Sequence, residues 1–229
     1  MCTTIETIGE CLGKPVVDPY GRRLGYIVSY YSDADGRIKG LEININDVEY
    51  REVSIERIQV GQSGIILIPE YEYDAIVVEN RLKNVKSRLA SLEELYSKKE
   101  IATHVYEAQK KKLEEELAVI KARAKEVKDA LRNRLHEVEE QIAEIEKAMG
   151  ALKTGYLAGE IQDKPYLTAL DIMKKTMEMF LKEKDNIKKH LDKIESLEAL
   201  PVSPVIGLQQ TKEQSKGQSS QPMNVVVIE

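Results

Sequence analysis

The 229-residue sequence contains few aromatic residues and few cysteines. Aromatics make up 5% of the chain, with one Phe and no Trp, whereas charged residues make up 32%. That balance is typical of long solvated helices rather than of one large globular core. Cys2 and Cys11 lie near the start without a CxxC spacing, so the sequence offers no cysteine metal motif and favours reduced cysteines in a cytosolic setting.

Long apolar runs are also missing. No run approaches the roughly 20 residues that span a bilayer, so any membrane contact is expected to be peripheral. Residues 1–7 have neither the basic nor the apolar region of a signal peptide. The formal net charge is −5, which gives no general indication of nucleic-acid binding.

Motifs of catalysis and cofactor binding are absent as well. His104, His136 and His190 all fall in predicted helices, and none has a second His or a Cys at metal-ligand spacing. The sequence contains neither a Walker motif nor a Rossmann fingerprint. We therefore expect no catalytic residues, no cofactor and no metal site, and a protein that is not an enzyme.

Residues 9–69 predict short β-strands. Apolar or alternating runs occupy residues 15–17, 24–31, 41–45 and 64–69, with turn residues at 18–21 and 33–36. Strands at this spacing predict a small β-barrel. The turn at residues 33–36 resembles the start of a calcium loop, with Asp33, Asp35 and Gly36 in place. The later ligands of that loop are missing, so a hairpin turn is the preferred interpretation.

From about residue 73 the apolar period changes from two to three and a half. The clearest seam continues for about six heptads and predicts a coiled coil that joins chains. This predicted oligomerisation seam comprises Leu113, Leu117, Ile120, Val127, Leu131, Val138, Ile142, Ile145, Met149 and Leu152. A further apolar stripe begins after Asp163 and Pro165, which suit a helix start.

Two segments of the helical region resemble each other at an offset of 60 residues. Tyr96 and Tyr106 correspond to Tyr156 and Tyr166. We interpret them as one helix–turn–helix used twice, with helices over 73–99, 103–157 and 164–199. The middle helix would be roughly 80 Å long, and the outer two would fold back along it. The alternative is one unbroken rod with coincidental Tyr spacing.

Residues 201–229 read as a disordered linker that ends in a strand-forming segment. Pro, Gly and Gln are frequent in this region. Residues 201–206, Pro-Val-Ser-Pro-Val-Ile, are either a short docking motif or part of the linker. The last residues suit β-strand addition to a partner sheet, with folding back onto the chain's own barrel as the alternative. The predicted partner-binding residues are Met223, Asn224, Val225, Val226, Val227 and Ile228.

The start of the chain carries a family resemblance. Residues 13–28, Gly-Lys-Pro-Val-Val-Asp-Pro-Tyr-Gly-Arg-Arg-Leu-Gly-Tyr-Ile-Val, resemble the opening of a PRC-barrel domain, and residues 35–38 resemble its second turn. With a long coiled coil and a tethered apolar end, the chain is similar to the CdvA family of archaeal cell-division proteins. The predicted domains are a PRC-barrel-like β domain (1–70), a coiled-coil helical domain (71–200) and the disordered tail (201–229).

The resemblance implies a structural scaffold rather than an enzyme. Such proteins form filaments at the division site on the cytoplasmic face of the membrane. They recruit CdvB, an ESCRT-III-like protein, by pairing the C-terminal strand with its winged-helix domain. DNA association is also implied. A DNA-organising coiled-coil protein is the alternative function, with the barrel as the nucleic-acid module and the density of Lys and Arg in residues 110–134 as its support. Lys110–Lys112 precede three Glu, however, and suit an ion-paired helix face.

Overall fold

The computed structural model describes residues 8–61 and 64–199, which form a β-sheet domain followed by three long helices. The strands are β1 (Pro15–Val17), β2 (Arg23–Ser32), β3 (Ile38–Ile45), β4 (Glu49–Ser54), β5 (Ile58–Gly61) and β6 (Gly64–Leu67), with a short 3-10 helix at Ile55–Arg57. The helices are α1 (Glu70–Ser97), α2 (Thr103–Leu157) and α3 (Asp163–Ala199). The predicted tail, 201–229, lies outside the described residues.

The six strands form a half-barrel, which confirms the predicted barrel-type domain. Their order is β4-β3-β2-β1-β6-β5, so β4 and β5 are the two edges of the sheet. β1 pairs in parallel with β6, and the other neighbours are antiparallel. The core of this domain is small and aliphatic, and it consists of Ile8, Cys11, Val16, Ile27, Ile38, Leu41, Ile43, Val53, Ile65 and Leu67.

The turn at residues 33–36 is a hairpin turn, as predicted. The Asp33 carboxylate accepts hydrogen bonds from the backbone N–H groups of Asp35 and Arg37, at 3.1 and 2.9 Å. Gly36 adopts a left-handed conformation with φ of 77°, which glycine reaches without steric cost. The Asp33 carboxylate therefore holds the turn together rather than serving as the first ligand of a calcium loop.

Cys11 differs from the expectation of a reduced cysteine. It is buried in the half-barrel core and takes part in a disulfide bond. The other cysteine of the sequence, Cys2, lies outside the described residues. The expectation is thus wrong for Cys11, because it rested on the usual reducing state of a cytosolic compartment and on cysteine spacing, and spacing alone does not determine whether two cysteines pair.

The three helices fold back on one another, so the predicted hairpins are confirmed and the unbroken rod is excluded. Tyr96 stacks on Tyr106 with ring centroids 4.1 Å apart, and Tyr156 stacks on Tyr166 at 4.0 Å. The two turns also share one backbone pattern, in which the residue after the helix cap is left-handed and the next N–H bonds back to the helix. These N–H to carbonyl bonds join Glu100 to Leu95 and Glu160 to Gly155, both at 3.0 Å.

α1 and α3 overlap along the middle of α2. Both run antiparallel to α2 and therefore parallel to each other, and contacts between α1 and α3 extend from Tyr71 with Glu183 to Lys86 with Glu198. The middle of the helical region is thus a three-helix section. On either side of it two-helix arms continue, which we call the α1–α2 arm (87–97 and 103–117) and the α2–α3 arm (138–157 and 163–182).

The two turns differ in the residue that adopts the left-handed conformation, and this difference generates a stability prediction. Gly159 has φ of 76°, whereas the equivalent Lys99 has φ of 59°. A side chain in this conformation costs roughly 1–2 kcal/mol. We expect Lys99→Gly to raise the free energy of unfolding by about 0.5–1 kcal/mol and Gly159→Ala to lower it by a similar amount, measured by urea denaturation.

Lys99→Ala serves as the control for the loss of the lysine side chain. Alanine retains the Cβ that is strained at this φ, so we expect no comparable gain. A gain in Lys99→Ala as large as that in Lys99→Gly would show that the side chain, not the backbone, is responsible.

Candidate functional site

The Glu183 carboxylate lies where the half-barrel and all three helices meet. Its side chain, on α3, is 0% exposed. It accepts hydrogen bonds from the Tyr71 hydroxyl of α1 at 2.7 Å and from Arg134 Nε of α2 at 2.8 Å. Arg22, in the turn between β1 and β2, places Nη1 2.7 Å from Glu183 Oε2. One buried carboxylate therefore joins four separate segments of the chain.

This environment keeps Glu183 ionised. Burial alone would raise its pKa, but the hydrogen bonds from Arg134 and Arg22 outweigh burial, so the pKa of Glu183 lies below its ordinary value. Burial raises the pKa of the Tyr71 hydroxyl, which therefore stays protonated and able to donate. The cluster consequently carries a stable charge pattern of one carboxylate between two guanidinium groups.

The turn that carries the PRC-barrel resemblance forms the rest of this junction. Asp18 accepts hydrogen bonds from the backbone N–H groups of Tyr20 and Arg22 at 3.0 and 2.8 Å. The Tyr20 hydroxyl donates to Glu72 of α1 at 2.8 Å and accepts from Asn186 of α3 at 3.1 Å. The turn thus docks the half-barrel on two helices.

The Arg22 guanidinium is flanked by two aromatic rings. It lies 5.2 Å from the ring centroid of Tyr20 and 5.1 Å from that of Phe180, within the range of cation–π attraction. The sequence predicted a turn here and did not predict the junction. The sequence did contain a signal for the junction: Asp18 and Gly21 are enough to form the turn, so Tyr20 and Arg22 are not needed for the turn itself and indicate a contact elsewhere.

A second buried carboxylate fixes α1 against α3. Glu79 of α1 is 2.6 Å from His190 Nδ1 and 2.6 Å from Lys193 Nζ. Burial would raise the pKa of Glu79, but His190 and Lys193 outweigh that effect and lower it. Glu183 and Glu79 together set the register in which α1 and α3 lie side by side.

The structure places the predicted oligomerisation seam largely within a single chain. Ile120, Val127, Leu131, Val138 and Ile142 are buried in the core that the three helices share. The seam residues toward the two ends are half-buried, namely Leu113, Leu117, Ile145, Met149 and Leu152. Contact between chains through this seam stays a prediction, and the half-buried ends are the part that remains accessible for it.

One side of the α2–α3 arm lacks a third helix. α1 begins at Glu70, close to Glu183, so it covers α2 and α3 only in the three-helix section. Within the arm, Ile145 and Leu152 are half-buried and Ile172 is 59% exposed. This arm therefore presents apolar side chains to solvent.

Several basic residues of 110–134 form ion pairs that bridge helices. Arg123 binds Asp74 at 2.7 Å, and Lys128 binds Glu198 at 2.6 Å. Lys110 lies 3.9 Å from Glu93. These pairs join different helices and are not the i,i+4 pairs on one helix face that the sequence predicted for Lys110–Lys112. DNA contact by this segment stays a prediction.

Within residues 8–61 and 64–199, no group of three or more His, Cys, Asp or Glu side chains is arranged to hold a metal ion. Over the same residues, no helix is both long and apolar enough to cross a bilayer. The predicted partner-binding residues Met223, Asn224, Val225, Val226, Val227 and Ile228 lie outside the described residues.

The class of protein that this fold defines is a half-barrel β-sheet domain joined through a buried charged junction to long helical hairpins. Residues 70–220 match the family described as the CdvA-like coiled-coil domain. The chain is 34% identical to Cell division protein A of Sulfolobus acidocaldarius over 232 residues, which cover 98% of this chain and 97% of that protein. The chain therefore belongs to the CdvA family, with a role in archaeal cell division.

The Glu183 cluster generates a prediction about stability and pH. The carboxylate has a lowered pKa in the folded state, so it stabilises the fold above its ordinary pKa of 4.5, and this contribution is lost as pH falls through the folded-state pKa. We expect Glu183→Gln to lower the free energy of unfolding at pH 7 by about 3–5 kcal/mol. Urea denaturation from pH 7 to pH 3 should also show a shallower acid-induced loss in this variant.

Glu178→Gln provides a matched control on the same helix. Glu178 pairs with Lys182 at 2.7 Å, and both side chains are well exposed. Because exposed pairs contribute little, we expect a change below about 1 kcal/mol. Equal effects of the two substitutions would contradict a special role for the buried junction.

Proposed function

We propose that this chain is a scaffold that self-assembles at the division site, on the cytoplasmic face of the membrane, and recruits the ESCRT-III-like protein CdvB through its C-terminal strand. Similarity over almost the whole length of both chains to Cell division protein A carries this proposal. That similarity supports the same arrangement of sheet, helices and tail in both proteins. The described residues contribute a rigid platform, and residues 223–228 contribute the recruiting segment.

The composition of the terminal segment supports recruitment by strand addition. Four consecutive apolar residues, Val225 to Ile228, suit a strand that is covered on both faces. Their burial would contribute roughly 6–12 kcal/mol gross. Ordering the segment costs about 2–5 kcal/mol and association costs more. A micromolar contact that gains strength from several copies on one assembly is therefore reasonable.

The α2–α3 arm supports self-assembly. In the three-helix section α1 packs against α2 and α3, whereas the arm has no third helix, and there Ile145 and Leu152 are half-buried and Ile172 is 59% exposed. A helix of a second copy would bury these side chains as α1 buries the core. Ile145 and Leu152 also belong to the predicted oligomerisation seam, so the seam pattern and the missing third helix indicate the same surface for contact between chains.

DNA binding is the weaker candidate function. The N-terminal 70 residues carry seven Lys and Arg against eleven Asp and Glu, which opposes contact with phosphates. Within the helices, Arg123, Lys128 and Arg134 pair with carboxylates of neighbouring helices. We therefore assign scaffolding, not DNA organisation, as the main function.

Deletion of residues 223–229 tests the recruiting segment. We expect the truncated chain to lose CdvB binding in a pulldown while its self-assembly, followed by sedimentation, is unchanged. Val226→Asp should weaken binding comparably, because it places a charge in an apolar contact. Asn224→Asp, which adds the same charge at a polar position, is the control and should retain more binding. Undiminished capture of CdvB by the truncated chain would refute this role.

Ile172→Glu tests assembly through the α2–α3 arm. A carboxylate at this position would oppose apolar contact with a second copy, so we expect at least a tenfold weaker self-association by analytical ultracentrifugation. Leu167→Glu is the matched control, since Leu167 is 60% exposed and lies about 140° around α3 from Ile172. Association that responds equally to both substitutions, or to neither, would exclude this surface of the arm as the interface.

A further inference from the structure

The outer edge of β4 is accessible along most of its length. β4 (Glu49–Ser54) pairs with β3 on one side and forms an edge of the sheet on the other. All residues from 46 to 52 are exposed, so the described part of the chain does not cover this stretch of the edge. The outward backbone N–H and C=O groups of an uncovered edge strand can pair with another strand.

The turn that leads into β4 presents two large apolar side chains at this edge. Val48 is 84% exposed and Tyr50 is 65% exposed. Asn46 and Asp47 have positive φ angles of 52° and 61°, and the Val48 N–H donates to the Ile45 carbonyl at 3.1 Å. Turns with two such residues match the twist of the strands that they join. The turn therefore holds Val48 and Tyr50 in defined positions at the edge.

The charges of β4 follow a self-complementary order. Glu49 and Arg51 lie on one face of the strand, and Arg51 Nη2 is 2.8 Å from Glu49 Oε1. Tyr50 lies between them on the other face. Charged residues at a sheet edge usually discourage pairing, but opposite charges directly across two strands stabilise the pair and like charges destabilise it. The order of the charges therefore selects the pairing that β4 can form.

We propose that β4 pairs antiparallel with β4 of a second copy, about a twofold axis at Tyr50. Opposed residues of an antiparallel pair lie on the same face, so the axis must pass between two identical residues. An axis at any charged residue of β4 would place two like charges opposite each other. The axis at Tyr50 instead brings the two tyrosines together and places each Glu49 opposite Arg51 of the other copy. Val48 then lies opposite Glu52, and no like charges face each other.

This strand contact supplies what filament growth needs in addition to the α2–α3 arm. A twofold contact closes after two copies, so growth requires a second, different contact on each chain. The short overlap of residues 48–52 buries little surface, which suits a contact that gains strength from many copies in one assembly. The role in growth rests on the proposed self-assembly, whereas the pairing of β4 does not.

Single cysteines test the register. Antiparallel strands bring opposed Cα atoms to about 4.5–5.5 Å, within the range of a disulfide. We expect Tyr50→Cys to form a disulfide-linked dimer on mild oxidation of the full chain, detected by non-reducing electrophoresis. Glu52→Cys is the matched control, because this position lies on the same face but opposite Val48 of the second copy. Equal cross-linking of both variants, or of neither, would overturn the proposal.

Charge reversals test the pairing without a covalent link. Glu49→Arg and Arg51→Glu each place like charges opposite each other, and we expect roughly a tenfold loss of the chain that sediments as large assemblies. An equal mixture of the two variants should recover assembly, because every arginine at these positions then faces a glutamate of the other chain. Neither variant retains an opposite-charge pair within its own strand, so this recovery must come from contact between chains.

Asp35→Arg and Arg37→Glu provide the matched control for the charge reversals. These exposed residues have the same spacing in the turn between β2 and β3, and both of those strands have neighbours on each side. Assembly of these controls should be unchanged. Failure of the mixture to recover would overturn the β4 contact. Single variants that stop at dimers would support the β4 and arm contacts together, whereas single variants that stay monomeric would refute the arm alone.

Discussion

The fold depends on one buried charge. Glu183 is fully buried, and an isolated carboxylate in that position would be strongly destabilising. It is tolerated because Arg22, Arg134 and Tyr71 reach it together from the half-barrel, α2 and α1. Such a network stabilises a fold little more than a well-packed apolar cluster would, but the loss of one partner leaves a buried unpaired charge and is strongly destabilising. Its main effect is therefore to fix how the half-barrel and the helices are arranged. The half-barrel can take only the orientation that brings Arg22 to Glu183, and the helices only the register that brings Tyr71 and Arg134 there.

That register determines which surfaces are left for other molecules. Because α1 and α3 lie side by side only from Tyr71 to Lys86 and from Glu183 to Glu198, each also has a stretch that contacts α2 alone. In the α2–α3 arm the helical pair without a third helix presents apolar side chains to solvent, among them Ile172 at 59% exposure. A longer overlap of α1 with α3 would cover these side chains and leave no such surface for a second copy.

Periodicity predicted the helices well and their partners poorly. The predicted helices 73–99, 103–157 and 164–199 differ by at most three residues at any end from the observed ones, and the repeat of Tyr96 and Tyr106 at Tyr156 and Tyr166 indicated both turns. The first turn has no glycine to mark it, because Lys99 takes the left-handed conformation that Gly159 takes in the second turn. Strands β4 and β5 were missed because they are edges, and β4 buries only Val53.

The junction was missed because its hydrogen bonds join residues up to 166 positions apart. The heptad pattern of the predicted oligomerisation seam likewise does not specify whether the helix that packs against it belongs to the same chain.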